Sequence, residues 1–295
     1  MTSQNAPRVL VGHGTENDFV VLPDPDGSVW PEDRLDGALV RRLCDRRAGL
    51  GGDGVLRVVR SVHVPDAAAV LGEALPSCEW FMDHRNADGS TAEMCGNGIR
   101  LFLHVLVGEG LLDRATCEAG VVVGTRGGPR RVGATSDGAY WVDMGPARDL
   151  GEGEAVVGGR RLTGYGISMG NPHLVCLTDV PVEDVDLTTL PVVDPAMFPD
   201  GVNVEVVNVL PDGPAGPHVR MRVFERGVGE TRSCGTGACA VAWAALAATG
   251  ETTGTVAVDV PGGRLGVAFD GRTTVLGGPA VVVGTGELTA EWLAG

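Results

Sequence analysis

The sequence predicts an α+β protein made of two similar halves, and three observations carry that expectation. Most of the 295 residues read as short strand-like runs separated by turn residues, with 46 Gly and 18 Pro to supply the turns. Only three stretches carry a convincing helical pattern. Two of these three open alike, with Cys95-Gly-Asn-Gly98 and Cys234-Gly-Thr-Gly237, about half a chain apart, the mark of a degenerate internal duplication.

The strand-like runs of the first half are residues 18–22, 55–60, 78–82, 117–123 and 140–144. The second half repeats the style at 174–177, 203–210, 219–224, 255–260 and 264–269. Residues 36–46 read as a helix with Leu39, Val40 and Leu43 on one face and arginines on the other. Ile99, Phe102, Leu103, Leu106 and Val107 form a full helical stripe, and Leu101 and Val105 fill other faces, so this helix is expected to be buried all round. Residues 236–249 form the third helix, rich in small side chains and closed by Gly250. Before each of the last two helices stand a strand, a polar Gly-containing turn and an acidic residue, Glu93 or Glu230.

Composition excludes several function classes. Hydrophobic residues at 43% and charged residues at 21% give ample material for a core. The net charge of −15 argues against nucleic acid or an anionic membrane as partner. All 23 basic residues are Arg, so no lysine Schiff base with pyridoxal phosphate and no Walker-type phosphate loop can form. The start of the chain is polar, and the Ala-rich run 237–250 is too short to span a bilayer, so a cytoplasmic, soluble protein is expected. Seven cysteines without a C-x-x-C pair suggest neither a disulfide framework nor a metal site. Gly49-Leu-Gly-Gly-Asp-Gly54 matches the dinucleotide fingerprint, but a helical pattern precedes it and a strand follows, the reverse of what phosphate binding needs.

Cys95 and Cys234 are the chemical signal. Each is expected where a Gly-rich loop becomes a helix, so backbone N–H groups and the positive end of the helix dipole converge on it, a setting that lowers a thiol from its usual pKa of ~8.5. The same N–H groups could hold a carboxylate. Two opposed acid/base groups without metal or pyridoxal suit inversion of a stereocentre: one takes a proton from one face while the other delivers one to the opposite face. Cys44, Cys78, Cys117, Cys176 and Cys239 are read as buried small hydrophobes.

At these residues the chain closely resembles the diaminopimelate epimerase family. The resemblance is carried in order by His13-Gly-Thr-Glu-Asn17-Asp-Phe, Asn86-Ala-Asp-Gly-Ser, Met94-Cys-Gly-Asn-Gly, Gly170-Asn-Pro-His173, Val202-Asn203, Glu225-Arg-Gly-Val-Gly-Glu-Thr and Ser233-Cys-Gly-Thr-Gly-Ala-Cys. It implies an isomerase that interconverts LL- and meso-diaminopimelate on the lysine and peptidoglycan route by a two-base mechanism without cofactor or metal. It implies Cys95 and Cys234 as the acid/base thiols, with His173 and Glu225 beside them tuning their protonation. Gly96, Asn97, Gly235 and Thr236 would supply N–H groups to the reacting carboxylate. Asn17, Asn86, Asn171, Asn203, Glu225 and Arg226 would hold the substrate, Arg226 pairing with its distal carboxylate. Asp18, Asp88 and Glu230 are left as turn or capping groups.

Each half is then expected to be a curved mixed or antiparallel sheet, a partial barrel, wrapped around a central helix, with the active cleft between the halves. The halves are placed at 1–143 and 144–275, with 276–295 returning to the first. A homodimer is left open. The family often has Gly where Glu16 stands and a substrate-contacting Gln where Gly54 stands. Proline-racemase relatives typically carry His in place of Asn97 and need no distal Arg. A non-catalytic diaminopimelate-binding relative and a Cys-based metal protein are the remaining alternatives.

Overall fold

In the computed structural model, which describes residues 6–213 and 216–295, the chain divides into two compact units. One runs to Tyr140 and takes in Ala280–Gly295; the other is Trp141–Pro279. Each is a mixed sheet packed on a buried helix, so the fold is α+β. Among the described residues, no helix is long and apolar enough to cross a membrane.

In the first unit, strand Arg8–Gly14 pairs antiparallel with both Asn17–Pro23 and Val281–Glu287. Asn17–Pro23 runs parallel to Gly54–Arg60, which pairs antiparallel with Trp80–Asn86. Val121–Gly124 runs parallel to Trp80–Asn86, and Arg130–Ala134 pairs antiparallel with Val121–Gly124. Helix Gly96–Gly108 packs against five of these strands, including Val281–Glu287. All of its apolar side chains but the half-buried Val107 are buried, which explains a sequence hydrophobic on every face.

The second unit follows the same plan. Arg148–Val157 and Arg160–Ser168 form a hairpin, extended by Pro172–Leu177, which runs parallel to Asn203–Gly213. Beyond it come Gly216–Glu225, Gly254–Val260, Gly263–Phe269 and Thr274–Gly278. Helix Gly235–Ala248 packs against most of these strands, and its alanines let them approach closely. Gly250 follows its cap residue at φ 80°, a left-handed conformation that Gly adopts without steric cost.

The residues expected to be strand at 117–123 are a correction. Arg114–Ala119 is a short helix, and only Val121–Gly124 is strand. The Asp113 side chain accepts from the Thr116 amide and caps that helix, a local bond that outweighs the apolar run behind it. The Gly49–Gly54 run lies between helix Gly37–Cys44 and strand Gly54–Arg60. The amides of Gly49, Leu50 and Gly51 are bonded to carbonyls of Asp45 and Leu43, so they serve the loop itself.

Two positions where the chain departs from its resemblance have a backbone explanation. Thr15 and Glu16 form the two-residue turn between Gly14 and Asn17, at φ 49° and 61°. Such a tight hairpin needs positive φ at both positions, which costs a non-glycine residue about 1–2 kcal/mol. The buried Thr15 hydroxyl offsets part of this by bonding Asn97 and Arg100 of the helix. At Gly54, a Cβ would lie 2.6 Å from the Arg85 carbonyl oxygen and 3.2 Å from His84 Nε2. The strand has no room for a Gln there. Gly54→Ala should therefore lower stability by about 1–3 kcal/mol in urea unfolding; an unchanged midpoint would contradict so close a strand contact.

Candidate active site

Both cysteines sit at helix N-caps, in the place usually taken by a hydroxyl or carboxylate. Cys95 Sγ accepts from the Gly98 amide at 3.4 Å, and Cys234 Sγ accepts from the Gly237 amide at the same distance. Gly96 and Asn97 form the first turn behind one sulfur, Gly235 and Thr236 behind the other. Each turn aims the positive end of a helix at its thiol.

Around Cys95 the first unit gathers amides. Asn17 Oδ1 accepts from Cys95 Sγ at 3.5 Å and from Asn97 Nδ2 at 3.4 Å. Asn17 Nδ2 donates to Asp53 Oδ2 at 2.7 Å, which sets the orientation of its amide. Asp53 is held in turn by Arg46, which also grips both oxygens of Asp18. The Arg46 guanidinium keeps the Asp18 carboxyl low against the opposing effect of burial, while burial pushes Asp53 up. Asn97 is buried, its Oδ1 accepting from Arg100 at 2.9 Å. Asn86 stands apart from this cluster: it is exposed at a strand end, with its Nδ2 donating to Ser90 Oγ at 3.0 Å. Asp88 stays in the same turn, accepting from Ser90.

Around Cys234 the second unit gathers ionisable groups. Glu225, at the end of strand Gly216–Glu225, is bonded by the Thr231 hydroxyl and lies beside the Cys234 side chain. Burial raises the Glu225 carboxyl above its ordinary value, and the nearby Glu205 charge adds to that, against the opposing Thr231 bond and His173. His173 is fully buried, with Nδ1 2.6 Å from Glu205 Oε1 and Nε2 3.1 Å from Asn171 Oδ1. Asn171 Nδ2 donates to Thr236 Oγ1 at 3.4 Å, and Thr236 Oγ1 lies 3.4 Å from Cys234 Sγ. Asn203 Oδ1 accepts from the Arg226 amide, and the Arg226 guanidinium donates to the Asp200 carbonyl, each at 2.9 Å. Glu230 pairs with Arg222 through both its oxygens, away from the thiol.

The expectation that the helix dipole would lower both thiols fails at Cys234. Burial pushes this thiol well above the ordinary range, and the Glu225 and Glu205 charges push it further, outweighing the Gly237 and Thr236 bonds. Cys234 therefore holds its proton at neutral pH. Glu205 is the group that reading the sequence missed. The signal was present: one acid inside the apolar run Val202-Asn-Val-Glu-Val-Val207, at a position the strand buries completely.

Solved structures share this fold across the length of the chain. A phenazine biosynthesis protein of the PhzF family from Bacillus anthracis matches with a TM-score of 0.63 at 15% identity, covering 97% of this chain and all of its own. A probable proline racemase from Agrobacterium radiobacter matches with a TM-score of 0.63 at 16% identity, covering 96% and 93%. The architecture is thus the two-unit fold that these proteins share.

The model of the family described as diaminopimelate epimerase matches residues 9–150 and 165–289. A diaminopimelate epimerase of Mycobacteroides abscessus is 48% identical over 96% of this chain and 97% of its own length. One from Thermobifida fusca is 49% identical over 95% and 97%. The chain belongs to the diaminopimelate epimerase family.

The difference in setting gives an order of reactivity. Cys95 is half-buried beside amides, whereas Cys234 is buried and keeps its proton. Brief iodoacetamide treatment at neutral pH should label Cys95 well before Cys234, read by peptide mass spectrometry; the reverse order would contradict the assignment of Cys234 as the protonated thiol.

Proposed function

We propose that this chain interconverts LL- and meso-diaminopimelate by inverting one α-carbon with two thiols. The supporting observation is the repeated construction of two helix N-termini, each capped by a cysteine whose sulfur faces its own helix. The sulfur of one cysteine, as thiolate, takes the α-proton. The electron pair left on carbon delocalises into the α-carboxylate, and the other cysteine, as thiol, delivers its proton to the opposite face. Sulfur roles are exchanged at the end, so the enzyme works in either direction. The reading requires both sulfurs to meet one carbon atom when substrate is bound.

An α-proton of an amino acid is only weakly acidic, so the developing negative charge must be stabilised where it appears. Amides of Gly96, Asn97, Gly235 and Thr236, at the positive ends of two helices, suit that role, since fixed dipoles aimed at an oxyanion need no reorganisation. Glu225, beside Cys234, is placed to share that thiol's proton. Cys234, which keeps its proton in the free enzyme, is suited to act as the acid in one direction of the reaction, with Cys95 as the base once it has given up the proton it shares with Asn17. Asn17, bonded to Cys95, and Asn171, beside Thr236, are placed to contact the reacting end of the substrate. Arg226 and Asn203 lie together near Asp200 and are assigned to the distal end, Arg226 as the partner of a carboxylate. Asn86, exposed in its turn, is assigned to the substrate on the family resemblance alone.

Incubation with LL-diaminopimelate in D₂O tests the reading. The meso isomer should accumulate with deuterium at the inverted carbon, and Cys95→Ala or Cys234→Ala should reduce inversion by about 10³-fold or more. Binding without deuterium uptake would instead make the chain a non-catalytic relative. Inversion of proline in place of diaminopimelate would move it to the racemase side of the fold.

A further inference from the structure

Glu205 lies in the second unit on strand Asn203–Gly213, whose parallel neighbour Pro172–Leu177 carries His173. Both side chains have no solvent exposure. Glu205 Oε1 is 2.6 Å from His173 Nδ1, while Oε2 is buried without a partner. The carboxylate lies under the first turn of helix Gly235–Ala248, where a Cβ at Gly237 would come within 2.7 Å of Oε1. That helix has no charged side chain to offer. Cys176, Glu225 and Cys234 feel the Glu205 charge, each of them neutral or negative. A buried carboxylate in such company is costly unless a cation faces it. His173 is the group bonded to it that can become one.

The hydrogen bonds of the ring point the same way. Nδ1 faces a carboxylate oxygen and Nε2 faces Asn171 Oδ1, and both partner atoms are acceptors. An imidazole satisfies two acceptors only when both nitrogens carry hydrogen. At its other end the amide of Asn171 meets Thr236, Nδ2 donating to Thr236 Oγ1.

We propose that Glu205 is a positioning residue that holds His173 as an imidazolium, so that the cation faces the Cys234 side of the site and Asn171 turns its N–H₂ toward Thr236. The proposal rests on the epimerase reading of this site and adds to it a group outside reach of the substrate. The imidazolium sets one positive charge against two carboxylates, Glu225 and Glu205. Without it, ionising Cys234 when its turn as base arrives would place a third negative charge in a buried space. Through Asn171, the same pair fixes which face of an amide meets the helix N-terminus.

Two measurements on the full-length enzyme test this. In protein labelled with ¹⁵N-histidine, with the His173 signals assigned by loss in His173→Gln, both His173 nitrogens should show imidazolium shifts at neutral pH. One protonated and one bare nitrogen, with Asn171 reversed to donate to the ring, would overturn the proposal, and this readout needs neither a variant of Glu205 nor turnover. Glu205→Gln keeps the shape and removes the charge. It should fold, show a neutral His173, and lower kcat by about a hundredfold with a smaller change in KM. Because the charged ring then lacks its counter-charge, the ratio of variant to wild-type kcat should rise as pH falls. A Glu205→Gln enzyme with the wild-type kcat and pH profile would also overturn the proposal, whatever its Tm. Failure of the wild-type enzyme to exchange deuterium would defeat the epimerase reading alone, since the ¹⁵N result stands apart from activity.

Discussion

A sulfur at the N-cap of a buried helix is the constraint around which each unit is arranged. A thiol caps less strongly than a hydroxyl or carboxylate, since sulfur is a weak acceptor. The helix must therefore be held by packing, and in both units most of its residues are buried against strands of the surrounding sheet. In return the sulfur is fixed relative to the backbone amides of the first turn. On the proposed mechanism, acid/base group and carboxylate-binding group thus come from one short peptide, Cys-Gly-Asn-Gly or Cys-Gly-Thr-Gly. Gly237 leaves the sulfur room, because a Cβ there would lie 3.3 Å from Cys234 Sγ.

The duplicated motif conceals a chemical asymmetry. In the first unit the sulfur is half-buried and bonded to Asn17, whose amide is held by Asp53 and, through it, by Arg46. In the second unit the sulfur is buried with the Glu225 carboxylate and a His–Glu pair close by. A two-base enzyme needs its two groups in opposite protonation states at once, and unlike surroundings supply that difference without unlike residues. Strain in the Thr15–Glu16 turn serves the same end: it delivers Asn17 to Cys95 and is held by bonds to the helix.

Much of this was legible in the sequence. The α+β class, the principal strands and the three main helices follow from apolar periodicity and from Gly and Asp at the turns. The caps of the two buried helices follow from their shared motif. Illegible parts depended on contacts between residues distant in the chain. The helix at Arg114–Ala119 was hidden because a single capping bond from Asp113 decided it. The strand Val281–Glu287 is edged with exposed valines and pairs with Arg8–Gly14; its return to the first half was implied by the family resemblance, while its exact partner follows from no local pattern. At the site, the thiols stood out in sequence. Glu205 did not, because its meaning lies in His173, which reaches it across a parallel strand pair. The helix dipole was a sound reason to expect acidic thiols, but dipole strength can be read from sequence whereas burial and neighbouring charge cannot.

The central claim is that one carbon atom is approached by two sulfurs, one from each unit. A crystal structure of the Cys95→Ser variant bound to diaminopimelate tests it most directly. The introduced hydroxyl oxygen and Cys234 Sγ are expected on opposite faces of the same α-carbon, each at about 3.5 Å. A fully bound substrate whose α-carbon is met by only one of these side chains would contradict it.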